Sequence, residues 1–384
     1  MKRSRRNKLM ITGAVAALSI TTLIPGRAAA VTKAGHSDSV TVTMQTVATG
    51  LNVPRGLVYD PQHNRLLIAE AGVAADDNGP CAAADGGGTL CYGDSGSVYS
   101  YSLAPGGQSG RIITGLPSEA NPAKNFVKGL EGLSLFHGQL TGVFSLSGTL
   151  ATRTGLGPGA ADLGQAVTFG PNGSVTPIAD VAAKEAQLYG TNAATDLWGV
   201  TTGYYGTVIA NEDGTPAPGT LYGGNDILQL NNGNLTQMVA FPQRVSAPNG
   251  NATIESAPDT VVQGPDGAFY VGELTSYPYY NGAADIWRVV PGQTPTLFAS
   301  GFTKVGDLAF TPSGQLLVLE QGHQDTSGSL VMIAPNGTQT TLASTGLVNP
   351  VGVAVVNNNT FYVTNVSGGV GGDGELLKIT VSGC

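Results

Sequence analysis

Charge is scarce in this sequence. Of its 384 residues, 11% are Asp, Glu, Lys or Arg, less than half of the share of about 25% in soluble proteins. This shortage excludes coiled coils and long solvated helices, and beyond residue 30 no apolar run is long enough to span a bilayer. Glycine is abundant at 56 residues, while 41% of the chain is hydrophobic, enough for a core. The combination is typical of many short strands joined by turns.

The first thirty residues are predicted to be a secretory signal peptide. A basic stretch at residues 2–8 precedes an apolar run at 9–24, and Ala28, Ala29 and Ala30 provide the small residues that signal peptidase requires. We predict cleavage after Ala30, an extension over 31–39 and one domain over 40–384. A membrane anchor is the alternative, but the run is short and contains Ser and Thr. We expect a secreted or periplasmic monomer.

Removal of this segment makes the protein strongly acidic. The segment contains 6 of the 18 basic residues and no acid, which leaves 12 basic against 26 acidic residues and a net charge of −14. Nucleic acid is therefore not an expected partner, because its phosphates would repel the protein. The expected partner is a small molecule or another exported protein.

Two of the three cysteines are predicted to pair. Cys81 and Cys91 lie in one Gly- and Ala-rich loop, and export favours a disulfide between them. A metal site is the weaker alternative, because no third sulfur or histidine is near. Cys384, the last residue, has no evident partner.

One pattern occurs six times along the chain. Each copy has a small residue, a short apolar strand, a tight turn and a more apolar strand. The copies begin near residues 55, 131, 198, 259, 307 and 351, and most continue with a third and a fourth strand. Four antiparallel strands repeated radially are typical of β-propeller blades.

The last copy lacks a fourth strand, which the start of the chain supplies. Residues 42–50 match the fourth-strand pattern of residues 340–346. We therefore predict an all-β, six-bladed β-propeller with four antiparallel strands per blade, closed by this N-terminal strand so that no sheet edge stays open. A β-helix would need a shorter and more uniform period.

Long connections are predicted to gather on one face of the ring. In each repeat, the hairpins that join the first strand to the second and the third strand to the fourth are short. The connections from the second strand to the third, and from one blade to the next, are long. Both long types emerge on the same face of a propeller, which we call the long-loop face. Binding and catalytic residues usually lie on such loops.

Polar residues occur where strands begin and end on the long-loop face. The predicted lining of the channel mouth consists of Arg55, Glu131, Trp198, Glu273, Glu320 and Asn365. Candidate ligands for Ca²⁺ or another divalent cation, which prefers oxygen atoms, are Glu70, Asn211, Asp259 and Asp307. The alternative is that these side chains bond to exposed backbone amides at strand ends or face the solvated channel. Because side chains alternate along a strand, the sequence does not fix which ones point inward.

Candidates for acid–base chemistry are few. They are Glu70, Asp259 and His323, the last of which lies in a long-loop segment. In another such loop, Tyr277, Tyr279 and Tyr280 either form a stacking platform or pack the loop onto its blade.

Three motifs suggest a family. They are residues 47–57 (Val-Ala-Thr-Gly-Leu-Asn-Val-Pro-Arg-Gly-Leu), 90–96 (Leu-Cys-Tyr-Gly-Asp-Ser-Gly) and 129–134 (Gly-Leu-Glu-Gly-Leu-Ser). They resemble the ScyD/ScyE family of exported bacterial proteins, related to NHL-type propellers. The resemblance implies an extracytoplasmic six-bladed propeller and transfers no catalytic residue. The chain is also broadly similar to the SMP-30-like lactonases, which bind one divalent metal through Glu, Asn and Asp; Glu70, Asn211 and Asp259 or Asp307 are the matching positions.

Two functions follow as expectations. The first is an exported binding module that holds a small ligand or a protein on its long-loop face. The second is a metal-dependent lactonase or related hydrolase, in which a channel metal polarises a carbonyl and activates water. Binding is favoured, because no acid–base pair with firm spacing occurs.

Overall fold

The computed structural model describes residues 29–32, 40–73, 79–84, 88–121, 126–212, 224–246, 252–322, 328–369 and 371–383. Over these residues the fold is nearly all-β, with six antiparallel four-stranded blades in a ring. The inner strand of each blade contacts the inner strand of the next, and the sixth contacts the first. The predicted six-bladed β-propeller is confirmed.

Each blade runs from an inner strand beside the central channel to an outer strand at the rim. From inner to outer strand, blade 1 consists of Pro54–Asp60, Arg65–Glu70, Thr89–Ser102 and Gly110–Asn121. Blade 2 consists of Leu130–Phe136, Gln139–Phe144, Gln165–Phe169 and Val175–Asp180, and blade 3 of Thr195–Gly203, Gly206–Glu212, Asp226–Asn231 and Asn234–Ala240. Blade 4 consists of Pro258–Gln263, Phe269–Glu273, Ala284–Val289 and Thr296–Phe302, and blade 5 of Val305–Phe310, Leu316–Glu320, Ser329–Ile333 and Gln339–Ala343. Blade 6 consists of Val353–Asn357, Thr360–Asn365, Gly374–Ser382 and the N-terminal strand Thr41–Leu51.

Short strands extend this framework. Cys81–Ala83 and Phe126–Lys128 join blade 1, Leu146–Gly148 runs parallel to the inner strand of blade 3, Ala29–Thr32 pairs with Thr41–Leu51, and Arg244–Ser246 pairs with Ala252–Ile254.

The ring closes as the repeat pattern predicts. Thr41–Leu51 pairs antiparallel with Gly374–Ser382, with Thr41 opposite Ser382 and Thr49 opposite Glu375. The N-terminal strand thus covers the hydrogen-bonding edge that the last three strands of the chain would leave open.

The core lies between neighbouring blades. In blade 5, Leu317 and Leu319 pack with Phe361 of blade 6, while the alternate residues Leu316 and Val318 pack with Ile286 of blade 4. Because both faces of the second strand are covered, that strand is apolar at nearly every position rather than at every second one.

Glycines let the inner strands approach closely. A Cβ on Gly132 would lie 2.3 Å from the carbonyl oxygen of Trp198, and one on Gly352 would lie 2.6 Å from that of Arg55. These contacts are too close for any other residue, which explains the small residue in the repeat.

Blades 4 and 5 replace this contact with hydrogen bonds. The Thr260 hydroxyl donates to Asp307 Oδ1 at 2.9 Å, and Asp307 Oδ2 accepts from the Val353 amide at 2.7 Å. One carboxylate therefore links the inner strands of blades 4, 5 and 6.

Helices occupy two of the segments expected to be long loops. Helix α1 (Leu150–Gly155) begins with a capping box formed by Thr149 and Thr152, and a 3₁₀ helix follows at Pro158–Asp162. Helix α2 (Val181–Tyr189) begins at Asp180, whose side chain accepts from the Ala183 amide at 2.9 Å. No helix among the described residues is long and apolar enough to cross a membrane.

The predicted disulfide forms. Cys81 and Cys91 are opposite each other on paired strands, with Cα atoms 4.0 Å apart. Cys384 lies outside the described residues, as do residues 1–28 of the predicted signal peptide and residues 33–39 of the extension.

Candidate functional site

A cavity of about 370 Å³ opens on the long-loop face, above the central channel. We call it the mouth pocket. It is formed by the starts of inner strands, by connections between second and third strands and by connections between blades. Its polar and aromatic lining includes Arg55, Lys128, Asp196, Trp198, Glu212, Tyr279 and Lys304.

Trp198 lies between the mouth pocket and the channel below it. A second cavity of about 550 Å³ lies among the inner strands, and Trp198 lines both cavities. The Arg55 guanidinium lies 5.0 Å from the Trp198 ring centroid, and its Nε is 2.8 Å from Glu131 Oε2. This cation–π contact and ion pair hold the three predicted residues together in one layer that forms the floor of the mouth pocket.

Lys128 belongs to a buried ion pair in the wall of the pocket. Its ammonium group bonds to Asp196 and lies 5.0 Å from the Trp198 ring centroid, while Asp196 also accepts from the Ser145 hydroxyl. Burial alone would lower the pKa of Lys128, but Asp196 and Glu212 outweigh it, so that the pKa of Lys128 is raised. Lys128 therefore remains charged.

Buried carboxyl groups surround this pair. Burial, together with the charge of Asp196, raises the pKa of Glu212 to about 8, and burial raises the pKa of Asp259 well above its usual value. Both carboxyl oxygens of Asp259 and the indole N–H of Trp198 are buried with no hydrogen-bond partner in the described part of the chain. Both residues line the cavity among the inner strands, and these polar atoms are not used there by the described residues.

The predicted strand-end residues turn away from the mouth pocket. Glu70, Asn211, Glu320 and Asn365 accept hydrogen bonds from the backbone amides of Asn52 (2.7 Å), Asp196 (3.1 Å), Thr303 (2.6 Å) and Val348 (2.7 Å). Glu273 accepts from Arg244, from the Trp287 indole at 2.7 Å and from the Asp285 amide at 2.9 Å. These contacts are the alternative stated above, in which strand-end side chains satisfy backbone amides.

The alternation of side chains explains this orientation. The next residue along the chain faces the channel axis, so that Glu212, Leu274 and Gln321 line the mouth pocket. Sequence reasoning pointed to these strand ends, whereas the residues that line the pocket there are the ones that follow Asn211, Glu273 and Glu320. It missed Lys128, Asp196, Glu212 and Lys304. The sequence feature that could have identified them is their position just outside the predicted strand ends.

The four candidate cation ligands do not form one cluster. Both oxygens of Glu70 accept from Arg111, at 2.7 and 2.8 Å, and Asp307 is bonded as described above. Asp259 alone among the four has oxygens without a partner among the described residues. Nowhere in the described ranges do three His, Cys, Asp or Glu side chains converge as a metal site would require. The divalent cation stays a prediction, and His323 lies outside the described residues.

Tyrosines form one side of the pocket. Tyr277 and Tyr279 both line it, with ring centroids 6.0 Å apart in a T-shaped contact. Burial and the nearby Glu212 raise the pKa of Tyr279 to about 12, so its hydroxyl stays protonated. Tyr280 is not part of the lining.

Comparisons with known proteins support the fold. No protein-family model and no curated protein sequence matches the chain. Among solved structures, a gluconolactonase from Xanthomonas campestris is 12% identical, with a TM-score of 0.53 and coverage of 89% of this chain and 90% of that one. A PQQ-bound aldose sugar dehydrogenase from Streptomyces coelicolor is 13% identical, with a TM-score of 0.50 and coverage of 89% and 98%. A Bacteroides thetaiotaomicron protein of unknown function is 8% identical, with a TM-score of 0.55 and coverage of 89% and 76%.

These similarities lie at the level of architecture. The chain is a six-bladed β-propeller. At such identities the resemblance extends to the fold alone, and membership of the ScyD/ScyE family stays a prediction.

Proposed function

We propose that this protein binds a small, hydroxylated organic ligand in the mouth pocket. The observation that supports this proposal is one cavity of about 370 Å³ that combines aromatic faces with hydrogen-bonding groups of both kinds. Small-molecule sites commonly have this size and this mixture. A concave cavity suits a small ligand better than a protein partner, which would need a broad surface.

The lining matches the chemistry of a polyol or sugar. The ammonium group of Lys304 donates hydrogen bonds, and the protonated carboxyl group of Glu212 both donates and accepts them, as a hydroxyl group requires. The rings of Tyr277 and Tyr279 offer faces against which the C–H groups of such a ligand can pack.

Export belongs to the same proposal. A disulfide between Cys81 and Cys91 suits an oxidising compartment, and the predicted signal peptide and the resemblance to ScyD/ScyE proteins agree with it. We propose a secreted or periplasmic protein that meets its ligand outside the cytoplasm.

The test is a binding screen with sugars, polyols and sugar acids by thermal shift, followed by calorimetry. Tyr277 is 68% exposed, so Tyr277→Ala should fold normally and weaken ligand binding by about tenfold, equivalent to about 1.4 kcal/mol. The matched control is Tyr204→Ala, an 82% exposed tyrosine in the short hairpin of blade 3, which should leave affinity unchanged. Equal affinities for the two variants, or no binding compound, would contradict the proposal.

Lactone hydrolysis is the second candidate. It is supported by the presence of the Glu212 carboxyl group in the mouth pocket, as a group able to transfer protons, and by the structural similarity to a gluconolactonase. The predicted cation belongs to this candidate. Addition of Ca²⁺ should then raise the melting temperature, and gluconolactone should hydrolyse faster than in buffer in a pH-stat assay. Glu212→Gln should reduce the hydrolysis rate to that of buffer alone. If the unmodified protein hydrolyses gluconolactone no faster than buffer does, this activity is excluded.

A further inference from the structure

Two lysines line the mouth pocket, and their surroundings differ. Lys128 is paired with Asp196. Lys304 makes no ion pair with a carboxylate of the described residues, and its Nζ lies over the Tyr279 ring, 4.5 Å from the centroid. The cavity therefore contains one neutralised ammonium group and one unpaired amine.

The backbone holds Lys304 at the pocket wall. It lies between the outer strand of blade 4 and the inner strand of blade 5, with a left-handed φ of 53°, and its carbonyl accepts from the Gln321 amide at 2.9 Å. The half-buried side chain extends over an aromatic ring that lines the same cavity. This arrangement keeps the amine facing any ligand bound there.

The electrostatics also differ between the two lysines. Burial lowers the pKa of Lys304, and the distant carboxyl groups of Asp259 and Glu212 offset it only in part. The pKa of Lys128 is raised instead, because its partner Asp196 is in direct contact. Of these two amines, Lys304 more readily reaches the neutral form, which is the nucleophile.

We propose that Lys304 forms a reversible imine with the aldehyde or ketone group of a ligand bound in the mouth pocket. This inference rests on the proposed function and names the substrate class as a hydroxylated carbonyl compound, such as an open-chain sugar.

The step is balanced without an oxidant or reductant. The neutral Nζ attacks the carbonyl carbon to form a C–N bond, and transfer of a proton from nitrogen to oxygen gives a carbinolamine. The C–O bond then breaks, the hydroxyl group takes up a proton and leaves as water, and the nitrogen loses its remaining proton to give the neutral imine. Hydrolysis reverses the sequence and releases the ligand.

The experiment traps the imine in the full-length protein. Glycolaldehyde is the probe, sodium cyanoborohydride reduces any imine to a stable secondary amine, and peptide mass spectrometry reads the modified positions. Lys304 should be labelled at least about tenfold faster than Lys128, because the ammonium group of Lys128 must leave its buried ion pair with Asp196 before it can react. It should also be labelled faster than the half-buried Lys184 of helix α2, which lies outside the mouth pocket. Lys304→Arg retains the charge and should abolish labelling at position 304 without adding any at Lys128.

A second arm separates this inference from the proposed function. A non-carbonyl polyol that raises the melting temperature should also slow labelling of Lys304 by competition. If polyols bind but Lys304 reacts no faster than Lys184, the imine is wrong and the binding function stands. If no polyol, sugar or aldehyde binds and labelling is uniform, both are wrong.

Discussion

At the residue scale, a buried acid at the end of a second strand organises several chain segments. Glu70 is fully buried and accepts hydrogen bonds from Arg111, Ser97 and the Asn52 amide. Ser97 is its direct cross-strand neighbour on the third strand. The residue thus links the entry to the inner strand, the third strand and the outer strand of blade 1.

Blade 5 has the same arrangement. Glu320 accepts from Ser329, its cross-strand neighbour, and from the Thr303 amide. The sequence placed an acid at both strand ends, but the partners of that acid are set by the sheet.

Removal of Arg111 should destabilise the protein. Arg111→Met leaves a fully buried carboxylate without its charged partner, which costs about 3 kcal/mol in the free energy of unfolding. Urea denaturation measures it. The control Arg288→Met breaks the surface ion pair with Asp266 and should cost much less, because water screens the attraction between exposed charges. If both variants lose the same free energy of unfolding, the burial of Glu70 does not strengthen its ion pair with Arg111 and the prediction is wrong.

At the element scale, the spacing of inner strands depends on the glycine in the repeat. Gly132 faces the Trp198 carbonyl of the next inner strand, and any side chain there would push blades 2 and 3 apart. Since Trp198 forms the floor of the mouth pocket, this contact also positions the site.

The corresponding prediction compares two glycine substitutions. Gly132→Ala should lower the free energy of unfolding by about 2 kcal/mol or more, because the added methyl meets backbone 2.3 Å away. Gly110→Ala is the matched control, since Gly110 is also in a strand and a Cβ there has no heavy atom within 4 Å. Denaturation midpoints check both; a tolerated Gly132→Ala would contradict the close approach of the strands.

At the scale of the whole molecule, the fold shields several carboxyl groups from water, either fully or in part. Burial raises the pKa of Glu119 to about 7, of Glu212 to about 8 and of Asp307 to about 6, against ordinary values of 4.5 for Glu and 3.8 for Asp. Each group is therefore protonated in the folded protein at a pH where it is ionised in the unfolded chain.

Stability should consequently fall as the pH rises. Between about pH 4.5 and 8 the folded protein holds more protons than the unfolded chain, so that the free energy of unfolding decreases with pH. We expect a melting temperature at least about 2 °C higher at pH 5.5 than at pH 8.5, measured by calorimetry. Glu119→Gln should reduce this difference, whereas Asp94→Asn, at an exposed position, should not. A melting temperature that rises with pH over this range would contradict the prediction.

The sequence by itself determined the architecture. Six repeats of strand and turn predicted six blades, and the match between residues 42–50 and 340–346 predicted the closure that Thr41–Leu51 makes. The pairing of Cys81 with Cys91 also followed from the loop that contains them. These features were predictable because strand periodicity, turn residues and short loops are encoded locally.

Only the tertiary structure decided which side chains meet. Asn211 and Glu212 are adjacent in the sequence, yet one bonds inside its blade and the other lines the mouth pocket, because successive side chains of a strand point to opposite sides. Lys128 and Lys304 come from different blades and converge because the ring closes. Their opposite pKa shifts depend on whether a carboxylate lies in contact, and that is a property of three-dimensional packing rather than of local sequence.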